Sequence, residues 1–472
     1  MRSIKELKKQ LFFNQQNIQK KITDQKESEK IANFAEKYKT FLSECKTERE
    51  CISYFKFQAQ NNGFSEFNNK KKYNPGDKFF YINRGKAMIL VTVGKNNPES
   101  GVSIIASHVD SPRIDIKPKP MYEKNELAYF KTHYYGGIKK YQWATIPLSM
   151  HGKIIKRNGE EIELKIGEKA DEPIFCITDL LPHLASEQMK RSAEKSILGE
   201  ELNLLIGSLP CCENSLKEET EHSDLVKLNV LQILNKTYGI IEKDLIAAEI
   251  SFVPAVEARD VGFDKSMIAA YGQDDRVCAY TSFQAHMELK TPEYTILTVF
   301  ADKEEIGSNG NTGLESFFLE FFITDLAESL GVNIRRVLEK SCCLSADVNA
   351  AFDPTWSDAY EKNNTSLLNC GAVVTKYTGS GGKVSTSDAT AEFVHKVISI
   401  LDANDIVWQS GMLGKVDTGG GGTVSKFIAR FNIDVIDFGV PVLSMHSPYE
   451  ITAKQDVYML YRACTAFANR NI

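Results

Sequence analysis

Two adjacent carboxylates, Glu304 and Glu305, follow an apolar run at 294–300 and precede a turn-forming stretch at 306–310. The run is β-branched and apolar and predicts a buried strand, which would deliver both acids to its C-terminal end. In open α/β sheets, ligands sit beyond that end. Neighbouring acids repel each other unless positive charge lies close by. A divalent cation meets that need, since one acid can ligate it while the other stays free as a base.

Other residues of suitable type stand in comparable places. His108 and Asp110 follow the apolar run 102–106. Asp274 and Asp275 precede a helical stretch at 279–289, Asp347 closes an apolar run that starts at Cys342, and His446 follows the run 440–443. Each has a plain alternative on its own. A His-x-Asp pair is ordinarily structural, and acids before a helix are favoured by its dipole. Together, His108, Asp274, Glu305, Asp347 and His446 form a set of imidazoles and carboxylates without thiolate. Such a set suits zinc, manganese or cobalt at a catalytic site. Five ligands exceed the needs of one catalytic zinc and fit two ions about 3.5–4 Å apart that share a bridging carboxylate. Glu304 is left over as the base. Asp110 is placed to hydrogen-bond the non-ligating nitrogen of His108.

The elements that must position these groups are legible around them. The spacing of Phe34, Tyr38, Phe41 and Leu42 predicts a helix with one packed face. Runs at 78–84 and 87–93 predict paired strands joined by a turn at Gly85. From about 120 to 250 the pattern becomes alternating, as in half-exposed strands, with turns at Gly136-Gly137, Asn158-Gly159 and Gly167. This segment predicts an inserted domain that serves assembly. It shows no catalytic cluster, and 190–222 reads as charged loop. Its one odd feature is Pro182-His183-Leu184-Ala185, where a packed histidine is the plain reading. Beyond the Glu304-Glu305 turn, 316–339 predicts a helix broken near Gly331. A further amphipathic helix is expected from Ser387 or Asp388 through Ile400. The glycine-rich stretch 418–426 lacks the lysine of a phosphate-binding loop, which argues against a nucleotide enzyme. Its glycines suit either backbone close to substrate or a tight turn.

Composition narrows the class. The chain has 472 residues, 42% hydrophobic and 25% charged, with a net charge of −5. That length implies two or three domains, and the charge gives no nucleic-acid surface. No apolar run is long enough to span a membrane. The N-terminus lacks the apolar core of a signal peptide, so a cytoplasmic location is expected. The ten cysteines, including the adjacent pairs Cys211-Cys212 and Cys342-Cys343, are expected as reduced thiols.

The motifs Ser107-His108-Val109-Asp110-Ser111-Pro112, Gly272-Gln273-Asp274-Asp275-Arg276, Asp302-Lys303-Glu304-Glu305-Ile306-Gly307-Ser308, Ser345-Ala346-Asp347 and Met445-His446-Ser447 occur in one order. In these the chain resembles the M18 family of metallo-aminopeptidases, the aspartyl aminopeptidase and aminopeptidase I group. The resemblance implies an α/β fold of the di-metal exopeptidase type. A central mixed sheet would be flanked by helices and carry an inserted β-rich dimerisation domain. The catalytic domain would comprise 1–119 and 251–472, with the insert at 120–250. His108 and Asp347 would bind one ion, Glu305 and His446 the other, and Asp274 would bridge them. Zinc is the first expectation, with cobalt or manganese accepted by the same ligands. Glu304 would take a proton from the activated water and pass it to the leaving amine, and Asp110 would orient His108. His183 looks like the family histidine that reaches into a neighbouring subunit's active site. Peptides with a free N-terminus would be the substrates, and a homo-dodecamer of dimers the assembly. Lys376 and Lys383, beside the glycine-rich 379–382, are candidate cations for an acidic substrate side chain. The stretch departs from the eukaryotic aspartyl-enzyme pattern, so acidic preference does not carry over. A di-metal carboxypeptidase, an amide deacylase and a non-catalytic oligomeric peptide-binding protein are the rival readings.

Overall fold

Strands of the larger sheet read as unbroken apolar runs because both of their faces are covered. The computed structural model describes residues 3–13, 15–22, 24–211, 223–379 and 381–470. Nine strands form this sheet, in the spatial order Ser65–Glu66, Lys78–Asn83, Ala87–Thr92, Ile296–Ala301, Ser103–His108, Cys342–Ala346, Asp434–Gly439, Ala372–Thr375 and Trp408–Ser410. Its four central strands, from Ile296–Ala301 to Asp434–Gly439, run parallel to one another. Ala87–Thr92 and Ala372–Thr375 flank them antiparallel, so the sheet is mixed.

Alternation along each strand splits the core in two. Phe80, Met88, Leu90, Ile105, Phe300, Leu344 and Phe438 point to one side. They pack there against Tyr38, Phe41, Phe55, Tyr280 and Phe283 from the helices Gln25–Glu44, Glu48–Asn61 and Gln273–Met287. Their neighbours Phe79, Ile89, Val91, Ile104, Val299, Cys343 and Val435 face the other side, against Leu319, Phe322 and Leu326 of the helix Phe318–Leu330.

After His108 the chain leaves this sheet, and at Arg113 it enters a second one. The second sheet has seven strands, ordered Glu161–Ile166, Leu148–Ile155, Glu249–Pro254, Arg113–Lys124, Leu127–Tyr135, Leu204–Gly207 and Cys176–Ile177. All of its pairings are antiparallel. Its core holds Trp143, Phe130, Met150 and Phe252, covered in part by Val230, Leu231 and Leu234 of the helix Leu225–Tyr238.

Three local expectations are corrected. The stretch read as loop from 190 contains the strand Leu204–Gly207 as well as single helical turns, because Leu204 packs into the core of the second sheet. Residues 212–222, including Cys212, lie outside the described residues. The helix placed from Ser387 or Asp388 starts at Ala391, because the Thr390 side chain caps it by accepting the Phe393 N–H. The helix expected from 279 begins earlier: the element spans Gln273–Met287, with Asp274 and Asp275 in non-helical conformation near its start and the regular helix following them. The nine cysteines among the described residues are free thiols. No helix among these residues is long and apolar enough to cross a membrane.

Candidate metal centre

Parallel pairing gathers the acids at one edge. Ala301 lies opposite His108, and Ser345 lies opposite Ala106, so three adjacent strands end together. His108 closes the first of them. Glu304 and Glu305 form the helical turn after the second, and Asp347 follows the third directly. The start of the Gln273–Met287 helix brings in Asp274, and the turn before the strand Glu450–Ala453 brings in His446.

Two ligand groups result, His108 with Asp274 and Asp347, and Asp274 with Glu305 and His446. Asp274 belongs to both. Its Oδ1 lies 3.2 Å from His108 Nε2, and its Oδ2 lies 3.2 Å from His446 Nε2. His108 Nε2 is 3.9 Å from Asp347 Oδ1, and His446 Nε2 is 3.5 Å from Glu305 Oε2. Both imidazoles are oriented alike. His108 Nδ1–H donates to the Asp110 carbonyl at 3.0 Å, and His446 Nδ1–H donates to the Gly137 carbonyl at 2.8 Å. Each Nε2 is thereby left for a ligand.

Charge in this pocket is strongly one-sided. Burial raises the Glu305 and Asp347 carboxyls well above the ordinary range, and neighbouring carboxylates add to it. Burial likewise pushes Glu304 up to about 7. Asp274 is held low, because the two imidazoles outweigh its burial. Burial disfavours charge on His446, yet Asp274 and Glu305 push it up to about 11. His108 is raised in the same way by Asp110 and Asp274. The carboxylates thus favour positive charge at the imidazoles. Divalent ions compete for the same atoms. Asp274 Oδ1 and Glu305 Oε1 are buried without a well-formed hydrogen bond. A buried, unsatisfied carboxylate oxygen costs about 1–3 kcal/mol or more, so these donors fit cations.

The Asp110 carboxylate does more than the sequence reading assigned to it. Its Oδ1 is 3.3 Å from His108 Nδ1. Its two oxygens also accept the Glu304 and Glu305 backbone N–H groups, each at 3.2 Å. Tyr135 Oη–H donates to Asp110 Oδ2 at 2.8 Å. Tyr135 and Gly137 come from the segment in which the sequence shows no catalytic cluster, and here they contact the site directly. Gly136 between them has φ +76°, and a Cβ there would lie 3.2 Å from Glu305 Oε2. The paired glycines after an aromatic strand end were the available signal. Glu450 was also missed. It is buried beside Asp274 and His446, only four residues beyond that histidine.

His183 joins neither ligand group and is exposed, among the exposed Leu180, Leu181 and Leu184. Lys376 and Lys383 converge on Asp388 at 2.8 and 2.9 Å. In the glycine-rich loops, Gly379 N–H donates to the Gly421 carbonyl at 2.9 Å, which ties the two loops together. Ser380 lies outside the described residues.

Comparison with known proteins converges on one family. The family profile described as "Aminopeptidase I zinc metalloprotease (M18)" matches residues 41–468. A protein of Borrelia garinii subsp. bavariensis described as a probable M18 family aminopeptidase 1 is 47% identical over 451 residues, covering 94% of this chain and 97% of that protein. The crystal structure of an M18 aminopeptidase from Thermotoga maritima superposes with a TM-score of 0.90 at 41% identity, covering 97% of this chain and all of that one. The S. cerevisiae mApe1 dodecamer, at 21% identity and a TM-score of 0.73 over 92% of this chain and 95% of that one, shares the fold.

Proposed function

Because the chain belongs to the M18 family of zinc metallo-aminopeptidases, we propose that it removes the N-terminal residue from peptides at a two-ion centre, with Glu304 as general base. The observation that carries this reading is Asp274, whose two carboxylate oxygens each face a different histidine at 3.2 Å. One carboxylate so placed serves two half-sites.

His108 and Asp347 would hold one ion, Glu305 and His446 the other, with Asp274 between them; the bound pair would supply Lewis-acid polarisation of the scissile carbonyl and a more acidic water. Everything else falls to the chain's own groups. Glu304 takes the proton of the attacking water and returns it to the leaving amine nitrogen, a contribution of about 10²–10⁴ in rate. Asp110 fixes the turn that carries Glu304 and also faces the His108 imidazole. The site's carboxylates receive the substrate's free α-amine, which limits cleavage to the first peptide bond. Lys376 and Lys383 share the single carboxylate of Asp388, which engages both ammonium groups on the surface instead of leaving them free for an acidic substrate side chain. His183, exposed on its own chain, is free to enter a neighbour's site in a homo-dodecamer built from dimers.

The test uses aminoacyl-coumarins bearing Asp, Glu, Leu, Met or Lys, plus an N-acetylated control. Metal-stripped protein is assayed after zinc, cobalt or manganese is restored, and bound ions are counted. Two ions per chain, with release from free amines only, are expected. Release from the acetylated control would show that no free α-amine is required and would overturn the aminopeptidase, and no release with any metal would favour a deacylase or a binding protein.

A further inference from the structure

Glu450 opens the short strand Glu450–Ala453, which pairs with Met267–Ala270. Its side chain is 1% exposed. Among the described residues, no lysine or arginine forms an ion pair with it. Its two oxygens instead accept backbone N–H groups from two separate parts of the chain. Oε1 accepts His446 N–H at 2.7 Å, and Oε2 accepts Asp274 N–H at 3.0 Å. Its backbone carbonyl accepts Gln273 Nε2–H at 2.6 Å, so the residue before Asp274 is tied to the same point. His446 needs such support. Its φ is +64°, a left-handed conformation that a residue with a Cβ adopts only when its surroundings hold it there.

We propose that Glu450 is a positioning residue for the metal centre: its single carboxylate fixes the bridging acid Asp274 and the ligand His446 at one mutual spacing. This rests on the two-ion reading above. Charge-assisted hydrogen bonds of this kind are short and strong, and burial strengthens them further. Asp110 does the same for Glu304 and Glu305. The two pairs of site residues are thus each held through their backbone amides by one buried carboxylate. The side chains stay free for ions and substrate.

The test exploits the two-oxygen geometry. Glu450→Gln keeps its shape but turns an NH₂ group toward one of the two amides, so one tie is lost. Asp456→Asn is the control. Asp456 is also fully buried and accepts two backbone N–H groups, from Asn369 and Gly371, both at 2.7 Å, away from the ligands. Metal affinity is measured by competitive dialysis on the full chain, alongside thermal unfolding, kcat and KM. Wild type should bind two ions, and its failure to do so would remove the two-ion reading itself. With wild type loaded, Glu450→Gln should lose about 10–100-fold in affinity for at least one ion. Its kcat should fall further than its KM rises. Asp456→Asn should lose thermal stability while keeping wild-type affinity. Unchanged affinity in folded Glu450→Gln overturns the proposal, as does an equal affinity loss in both variants. If Glu450→Gln fails to fold, Glu450→Asp decides the matter. One methylene shorter, it reaches only one amide and should lose affinity in the same sense.

Discussion

Two buried histidines of this chain each lie between carboxylates, and their surroundings differ in kind. His151 has Glu50 at 2.8 Å from Nδ1 and Glu168 at 2.9 Å from Nε2. Lys46 pairs with Glu168 at 2.8 Å, Lys165 lies 3.6 Å from Glu50, and Ser149 donates to Glu168. Charge there is balanced by the protein itself. His108 lies among Asp110, Asp274 and Asp347, with Glu304, Glu305 and Asp275 close by. Among the described residues, no lysine or arginine forms an ion pair with any of these acids. Oxygens of Asp274, Asp275 and Glu305 stay unsatisfied. Balanced charge fastens the second sheet to the helix Glu48–Asn61, and unbalanced charge prepares a place for cations. A histidine between acids is therefore a weak pointer to function until the nearby cations are counted.

The largest expected effect tests the unbalanced side. Glu304→Gln should retain both ions by dialysis and lose about 10²–10⁴ in kcat; wild-type turnover in that variant would take Glu304 out of the chemistry. On the balanced side, His151→Phe leaves two half-buried acids without their shared imidazole and should cost about 1–3 kcal/mol in urea unfolding. Its bound-ion count should match wild type, and a lost ion would erase the contrast between the two regions. Tyr135→Phe removes one hydrogen bond to the Asp110 carboxylate. It should lower kcat about tenfold, with stability nearly unchanged.

The pH dependence of the His151 group has a definite sign. Burial opposes its charge, but Glu168 and Glu50 raise it above the usual 6.5. Its stabilising share is complete below 6.5 and fades as pH rises through the raised value. Glu50 and Glu168 are depressed to about 2, so their shares are present above the usual 4.5 and fade as pH falls toward 2. The stability gap between wild type and His151→Phe should be widest between these limits and narrower at pH 9. A gap that widens toward pH 9 would reverse the assignment. The smallest effect is expected at Lys383→Ala, which frees Lys376 to hold Asp388 alone. Such an exposed pair is worth about 0–1 kcal/mol, and the ranking of N-terminal residues should not change.

The candidate ligands were legible because apolar runs ended in acids or histidine, a pattern that survives without any knowledge of partners. His108, Glu305 and Asp347 were found in this way. Glu450 was not, because an acid at the start of a four-residue strand looks like any surface residue, and only the fold shows that it is buried. The alternating insert hid Tyr135 and Gly137 for a related reason: one acts through a backbone carbonyl, which no side-chain pattern records. The helix Leu225–Tyr238 follows a stretch rich in charged residues in the sequence and packs on a sheet whose order in space differs from its order in sequence. Asp388 looked like a helix start, yet it holds two lysines while Thr390 provides the cap.

The segment 135–137 bears on how this chain could be reshaped. Gly137 holds the His446 ring from the second sheet, Tyr135 holds Asp110, and Gly136 leaves room for Glu305. A minimal enzyme made by trimming away the second sheet would lose all three. The two sheets are not modules to be cut apart and recombined, and any shortened version must rebuild that three-residue bridge before it can work.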